Sequence, residues 1–161
     1  LENVGEIITK PLYGNGGVGI HRFNKNNLNH DILKQYLDLP IMAQKYVKEI
    51  SFGDRRLIII DGEYCGSVAR IPKDGDIKAN FHAGGIPNKT DLVFRDKEII
   101  DIVGPQLKEN NLFFVGIDII GNYLTEINVT SPTGIKQINT LNNVNLEKVF
   151  WDKLEAKYKL V

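Results

Sequence analysis

Between Val115 and Pro132 the chain reads Val-Gly-Ile-Asp-Ile-Ile-Gly-Asn-Tyr-Leu-Thr-Glu-Ile-Asn-Val-Thr-Ser-Pro, and no other segment restricts the fold as tightly. Val115, Ile117, Ile119, Ile120, Leu124, Ile127 and Val129 mark two short apolar strands on either side of a Gly121-Asn122 turn. Into that pattern fall Asp118, Glu126 and Asn128. Carboxylates are costly in a half-buried sheet unless positive charge compensates them. Two registers are open. A two-residue turn pairs Asp118 with Thr125 and sends Glu126 to the opposite face, whereas a three-residue loop over Gly121, Asn122 and Tyr123 sets Asp118 opposite Glu126. In the second register the two side chains stand roughly 5 Å apart at Cβ, with Asn128 further along the same face. Carboxylates that close repel unless a cation lies between them, and such a partial oxygen shell suits Mg²⁺ completed by phosphates and water. The plain alternative is a solvated outer face of ordinary polar residues.

A chain of 161 residues suits one domain with a core that needs no disulfides. The lone Cys65 excludes an internal disulfide and a multi-thiol metal site, and fits a reducing compartment. No apolar run approaches membrane-spanning length, so a soluble cytoplasmic protein is the expectation. Lys plus Arg equals Asp plus Glu at 20 each, so no global field favours nucleic acid or an anionic membrane. The chain begins at Leu1 rather than Met, and is read as a fragment of something larger.

Along the chain, Glu6 to Lys10 reads as a strand, followed by a glycine-rich loop from Leu12 to Gly19 and a return strand from Ile20 to Phe23. Leu28, Ile32, Leu33, Tyr36 and Leu37 follow helical spacing, closed by Leu39-Pro40. Met42 to Lys48 is expected as a strand. Arg55 to Asp61 and Glu63 to Ile71 form a hairpin across Asp61-Gly62. Residues 72 to 90 hold Pro72, Pro87, Gly75, Gly84 and Gly85 and read as a long loop, a feature more often functional than idle. Thr90-Asp91 is expected to cap a helix from about Leu92 to Asn110, buried along Ile99, Ile100, Val103 and Leu107 and kinked at Gly104-Pro105. Leu146, Val149, Phe150, Leu154 and Tyr158 mark a closing amphipathic helix, with Trp151 and Tyr158 expected in the core. Hairpins punctuated by helices give an α+β fold.

Several clusters have the chemistry of a site. Lys10-Pro-Leu-Tyr-Gly-Asn-Gly-Gly17 joins a lysine to a loop whose amides can approach an anion. Its setting between strands excludes the helix-opening dinucleotide fingerprint, and it has no Walker lysine. Arg70 leaves a strand end onto the long loop, placed to fork two hydrogen bonds onto a carboxylate or phosphate. For Arg55, Arg56 and Arg70 alike the alternative is a surface salt bridge with Asp54 or Asp61. His21 and His30 read as surface residues, His82 stays open in the long loop, and Cys65 reads as a packed strand residue with no activating neighbour.

In order along the chain, Lys10-Pro-Leu-Tyr-Gly-Asn-Gly-Gly17, Met42-Ala-Gln44, Gly53-Asp-Arg-Arg56, Ala69-Arg-Ile-Pro72, Ala83-Gly-Gly85, Gly116-Ile-Asp-Ile-Ile-Gly121 and Leu124-Thr-Glu-Ile-Asn-Val-Thr-Ser-Pro132 together resemble the ATP-grasp region of bacterial glutathione synthetases. That resemblance implies an ATP-grasp fold, an antiparallel sheet with flanking helices that is incomplete at its N-terminus. Residues 1–48 would end the small ATP-binding subdomain and residues 49–161 would form the large C-terminal one, with the N-terminal substrate domain absent. It implies a ligase joining γ-glutamylcysteine to glycine with ATP and Mg²⁺, or Mn²⁺ in its place, through an acyl phosphate. Lys10, Gly14, Asn15, Gly16 and Gly17 would hold ATP phosphates. Gln44, Lys45, Tyr46 and Val47 would border the adenine, with Asp54 nearby. Asp118, Glu126 and Asn128 would hold metal, and Asn128 and Arg56 would also contact ATP. Arg56 and Arg70 would be the catalytic pair, gripping the substrate carboxylate and the transferred phosphate. Residues 72 to 85 match the family's closing loop, with Lys78, Asn80, Gly84 and Gly85 as contacts, and Ser131 and Thr133 would bind peptide groups. The resemblance also suggests a homo-oligomer, a tetramer when complete.

Lys78 departs from the family's usual arginine, which replaces a forked contact with a point charge. With its first half missing, the chain alone is expected to be a poor catalyst. Two other functions remain: a different ATP-grasp carboxylate-amine ligase, and a non-catalytic ATP-binding module. The Arg70-Ile-Pro72 and Thr130-Ser-Pro132 segments argue against the first, and the joint presence of Arg70, Asp118, Glu126 and Asn128 argues against the second.

Overall fold

The computed structural model of the protein describes residues 5–13, 16–34, 38–73, 76 and 78–159. Asp61 and Gly62 both take positive φ, 52° and 81°, the signature of the tight hairpin turn expected there. The turn joins β4 (Asp54–Ile60) to β5 (Glu63–Ile71), and a Cβ on Gly62 would come within 2.7 Å of the Gly104 carbonyl oxygen. The hairpin is thereby seated on a helix, α2 (Phe94–Glu109). β4 is the middle of a five-stranded antiparallel sheet in the order β6-β5-β4-β7-β8, where β6 is Ile86–Asn88, β7 is Phe114–Ile120 and β8 is Tyr123–Asn128. A second sheet has the order β2-β1-β3, built from β1 (Ile7–Pro11), β2 (His21–Phe23) and β3 (Ile41–Lys45).

Strand alternation sorts the large sheet into two faces. Leu57, Ile59, Val115, Ile117 and Ile119 point to one side and pack on Ile99 and Leu107 of α2. Ile58, Ile60 and Val68 point to the other and pack on Ile138 of α3 (Ile135–Asn142) and Leu146 of α4 (Leu146–Tyr158). Each fully buried isoleucine or leucine contributes about 1.5–3 kcal/mol. The second face changes character along its length. Where α3 and α4 cover it the residues are apolar, and beyond them come Asp54, Arg56, Arg70 and Asp118, all buried.

Several boundaries differ from the expectation. β3 stops at Lys45, and Lys48–Phe52 wind into a 3-10 turn rather than extending the strand. The long loop contains a 3-10 turn at Phe81–Ala83 and the edge strand β6, which pairs with β5 from Ala69↔Asn88 to Ile71↔Ile86. Thr90-Asp91 is not the helix cap: Val93 is, and Asp96 accepts from the Val93 amide at 3.1 Å. α3 was not foreseen, since it is short and opens on Gly134. The first helix, α1, is described only over His30–Lys34, and Tyr36 and Leu37 lie outside the described residues. Trp151 and Tyr158 are not core residues; they are 57% and 58% exposed. Phe150 takes the inward position instead, edge-on to Phe113 at 5.3 Å and Phe114 at 5.6 Å, which turns Trp151 outward on the helix. Among the described residues no helix is long and apolar enough to cross a membrane.

Candidate functional site

Asp118 sits opposite Glu126, the pairing that demands compensation, but a three-residue loop is not what produces it. The turn is the two-residue Gly121-Asn122, with Ile120↔Tyr123 and Ile119↔Leu124 paired, and a bulge before Glu126 leaves Thr125 without a partner in the ladder. The Thr125 hydroxyl donates to the Asp118 carbonyl at 3.1 Å, which pins the bulge. The extra residue returns Glu126 to the face of Asp118.

Register also aligns the charges across the neighbouring strands. Asp54 lies opposite Arg70, and Arg56 opposite Asp118. Arg56 donates to Asp118 from Nε to Oδ1, and from Nη2 to Oδ2 at 2.8 Å. Its Nη1 donates to the Thr133 carbonyl at 3.1 Å. Arg70 forks onto Asp54, Nε to Oδ1 at 2.7 Å and Nη2 to Oδ2 at 2.5 Å, and its Nη2 also reaches Asp118 Oδ2 at 2.9 Å. Gly116 makes room for this: a Cβ there would lie 3.2 Å from the Arg56 Cδ. These are not the surface salt bridges of the plain alternative, since Arg56 and Arg70 are only 5% and 2% exposed. Buried ion pairs gain little net stability after desolvation, so the packing around them must offset their cost and their use lies elsewhere.

Electrostatics separates the three carboxyls. Burial would raise Asp118, but hydrogen bonds and charge from Arg56 and Arg70 outweigh it and hold that group below the usual carboxylate range. Burial pushes Asp54 up against the pull of Arg70. Glu126 is pushed up by the surrounding protein first and by the adjacent Asp118 charge second. A side-chain hydrogen bond with Asp118 raises it further. A crowded carboxyl beside an ionised one is relieved by a cation. Two carboxylates and the Asn128 amide form an all-oxygen set that fits Mg²⁺ as a partial shell. Among the described residues no group of three or more His, Cys, Asp or Glu side chains is placed to hold a metal ion.

Two adjoining cavities open over this face. The narrower, of about 100 Å³, is lined by Lys10, Gln44, Tyr46, Val47, Asp54, Arg70, Lys78, Asn80, Asp118 and Glu126. The larger, of about 710 Å³, shares Lys10, Arg70, Asn80, Asp118 and Glu126 and adds Gly16, Gly17, Arg56, Asn128, Ser131 and Thr133. Most of the residues singled out in the sequence thus converge. Lys45 does not line either cavity, because alternation along β3 turns it away from Gln44. Gly84 and Gly85 do not line them either and serve the loop's path: Gly84 closes the 3-10 turn with φ 88°, and the Gly85 amide bonds the Asn80 carbonyl at 3.0 Å. Gly14 and Asn15 lie outside the described residues. His82, left open by its sequence position, lines the larger cavity, while Cys65 sits at a strand bulge with its thiol pushed up by burial. Reading the sequence missed the apolar walls, Ile8, Ile20, Ile50 and Ile120, together with Thr125. In sequence these isoleucines carry the same signal as core residues.

The sequence profile of the "Prokaryotic glutathione synthetase, ATP-grasp domain" matches residues 1–143. The chain belongs to the prokaryotic glutathione synthetase family. It is 45% identical over 157 residues to the glutathione synthetase of Brucella melitensis, covering 95% of this chain and 50% of that protein. It is 43% identical over 159 residues to that of Mesorhizobium japonicum, covering 96% and 51%. The chain therefore spans about half the length of these curated relatives. Among solved structures, the ATP-grasp ligase PsnB complexed with its precursor peptide and AMPPNP superposes with a TM-score of 0.69 at 20% identity, over 98% of this chain and 48% of that one. The D-alanine–D-alanine ligase of Bacillus anthracis complexed with ATP gives 0.63 at 16% identity, over 99% and 56%. These distant likenesses establish an ATP-grasp fold for the chain.

Proposed function

We propose that this chain forms the nucleotide- and metal-holding part of an ATP-dependent ligase that joins γ-glutamylcysteine to glycine. The observation that carries the reading is the Asp118–Glu126 pair set beside two buried arginines at the meeting of two cavities. In this reading residues 1–48 end the small ATP-binding subdomain and residues 49–161 form the large one, and the gap between the two sheets receives the nucleotide. Lys10 and the Gly14, Asn15, Gly16 and Gly17 loop hold its phosphates. Gln44, Lys45, Tyr46 and Val47 border the adenine, beside Asp54. Mg²⁺, with Mn²⁺ as a substitute, is held by Asp118, Glu126 and Asn128 and supplies neutralising charge to the phosphates when bound.

The γ-phosphoryl group passes to a carboxylate oxygen of the dipeptide, releasing ADP and leaving an acyl phosphate. The glycine amine then attacks the acyl carbon, the C–O bond to phosphate breaks, and the amine proton leaves to solvent. Arg56 and Arg70 orient the carboxylate and steady the charge that develops on the transferred group, a role that suits guanidinium groups already fixed by internal carboxylates. Lys78, Asn80, Gly84 and Gly85 belong to the loop that shields the acyl phosphate from water, and Ser131 and Thr133 hold the peptide. A cytoplasmic location and assembly into a homo-oligomer complete the reading. The test is ADP release by the full-length protein with Mg-ATP, γ-glutamylcysteine and glycine, omitting each in turn. Release that requires the dipeptide and disappears in Asp118→Ala is expected. Release that persists without any amino-acid substrate, or in that variant, overturns the reading.

A further inference from the structure

We propose that Asp54 is a positioning residue for phosphoryl transfer, acting through the Arg70 guanidinium on Asp118 rather than by touching the nucleotide; this rests on the ligase reading above. Asp54 lines the narrow cavity, yet both of its carboxylate oxygens are taken by Arg70. Arg70 lines both cavities and delivers its Nη2 to Asp118 as well. The chain of contacts runs Asp54–Arg70–Asp118–Arg56–Thr133 across one sheet face, from the narrow cavity into the large one.

Two features make Asp54 consequential. The first is geometric. Asp54 accepts Arg70's Nε and shares its Nη2, so the guanidinium is turned toward β4 and meets Asp118 through a single nitrogen. Asp118 Oδ2 accepts from both arginines and Oδ1 accepts from Arg56 Nε, and the same carboxylate carries a side-chain hydrogen bond with Glu126. Freed from Asp54, Arg70 would swing to fork onto Asp118 and compete with Glu126 and a cation for its oxygens. The second feature is charge. Lys10, Arg56 and Arg70 act on the Asp118–Glu126 pair, and Asp54 cancels one of these three positive charges. Removing it leaves three positive charges against two carboxylates, and the pair is less able to attract a cation.

The test compares wild type, Asp54→Asn and Asp118→Ala in the full-length protein by steady-state kinetics. Mn²⁺ binding beside a non-hydrolysable ATP analogue is followed in parallel by electron paramagnetic resonance. Partners that orient a metal ligand cost about 10- to 100-fold on removal, so kcat and Mn²⁺ affinity are each expected to fall about tenfold or more in Asp54→Asn, with the KM for ATP held within about threefold. Asp54→Glu, which keeps the charge, is expected to recover part of both. A KM for ATP that rises tenfold with kcat unchanged marks direct nucleotide contact and overturns the proposal, as does unchanged Mn²⁺ affinity. If Asp54→Asn does not fold, the same split read on Asp54→Glu decides. A wild type without substrate-dependent turnover would sink the ligase reading instead, and the Mn²⁺ titration would still decide on Asp54.

Discussion

Asp96 has no exposed surface, and it holds together three parts of the fold that the site depends on. Its carboxylate accepts from Arg55 Nε at 2.9 Å and Nη2 at 2.7 Å, and from the Val93 amide at the start of α2. The same Arg55 donates to the Gly121 carbonyl at 2.8 Å, so the turn of the β7–β8 hairpin is tied to the helix start. Asp96→Ala removes two contributions. Breaking one partner out of a buried ion pair costs about 3–5 kcal/mol, and losing the helix-start acceptor costs about 0.5–2 kcal/mol. Arg55 keeps its bond to Gly121 and some solvent contact, its side chain being 19% exposed, which returns part of this. The net expectation is a loss of about 3–5 kcal/mol, a large share of the roughly 5–15 kcal/mol available to a domain. Urea unfolding at neutral pH measures it, with the slope checked for constancy so that the midpoint shift reports stability. Asp96→Asn keeps an acceptor for Val93 and should lose clearly less. Adding Arg55→Met to Asp96→Ala should recover stability, because the stranded charge goes with it. A loss below about 1 kcal/mol in Asp96→Ala would refute the reasoning, since the bond to Gly121 and partial solvent contact do not replace the lost carboxylate.

Glu126→Gln keeps the shape of the side chain and removes its charge, so turnover should require markedly more Mg²⁺; an unaltered Mg²⁺ dependence would remove Glu126 from the metal set. Gly17 has φ 79°, and a Cβ there would stand 2.8 Å from Asn80 Nδ2. Gly17→Ala should therefore raise the KM for ATP roughly five- to thirtyfold from about 1–2 kcal/mol of backbone strain, and an unchanged KM would show that the loop does not close on the nucleotide in this form. Asp61 is lowered first by its hydrogen bond from Lys157 and then by Lys108, so its contribution is complete above the unfolded carboxylate value and fades as pH falls through the lower folded one. Asn tolerates the φ of 52° at that position, so the stability gap between wild type and Asp61→Asn should close from about pH 5 downward, and a gap that stays constant contradicts the assignment.

The Asp118, Glu126 and Asn128 constellation was readable because alternation along a strand places i, i+2 residues on one face whatever else the chain does. The means was not: a three-residue loop and a two-residue turn followed by a bulge yield the same Asp118–Glu126 pairing, and only the three-dimensional fold chooses between them. Arg56 and Arg70 stood out by position, yet their partners depend on which strands become neighbours. Arg70 finds Asp54 across β4–β5, and Arg56 finds Asp118 across β4–β7. Trp151 shows the converse limit. Helical spacing puts it near the buried stripe, but Phe150 packs better against Phe113 and Phe114 and the tryptophan turns outward.

Transfer of ¹⁸O from the substrate carboxylate tests the central claim most directly. γ-Glutamylcysteine labelled in its cysteinyl carboxylate is turned over by the full-length protein with Mg-ATP and glycine, and the phosphate released is examined by mass. Phosphoryl transfer to that carboxylate beside Arg56, Arg70 and Asp118, followed by amine attack at carbon, carries one labelled oxygen into each phosphate. Phosphate that emerges unlabelled while peptide forms would mean that the carboxylate is never phosphorylated, and the role given to this site would be wrong.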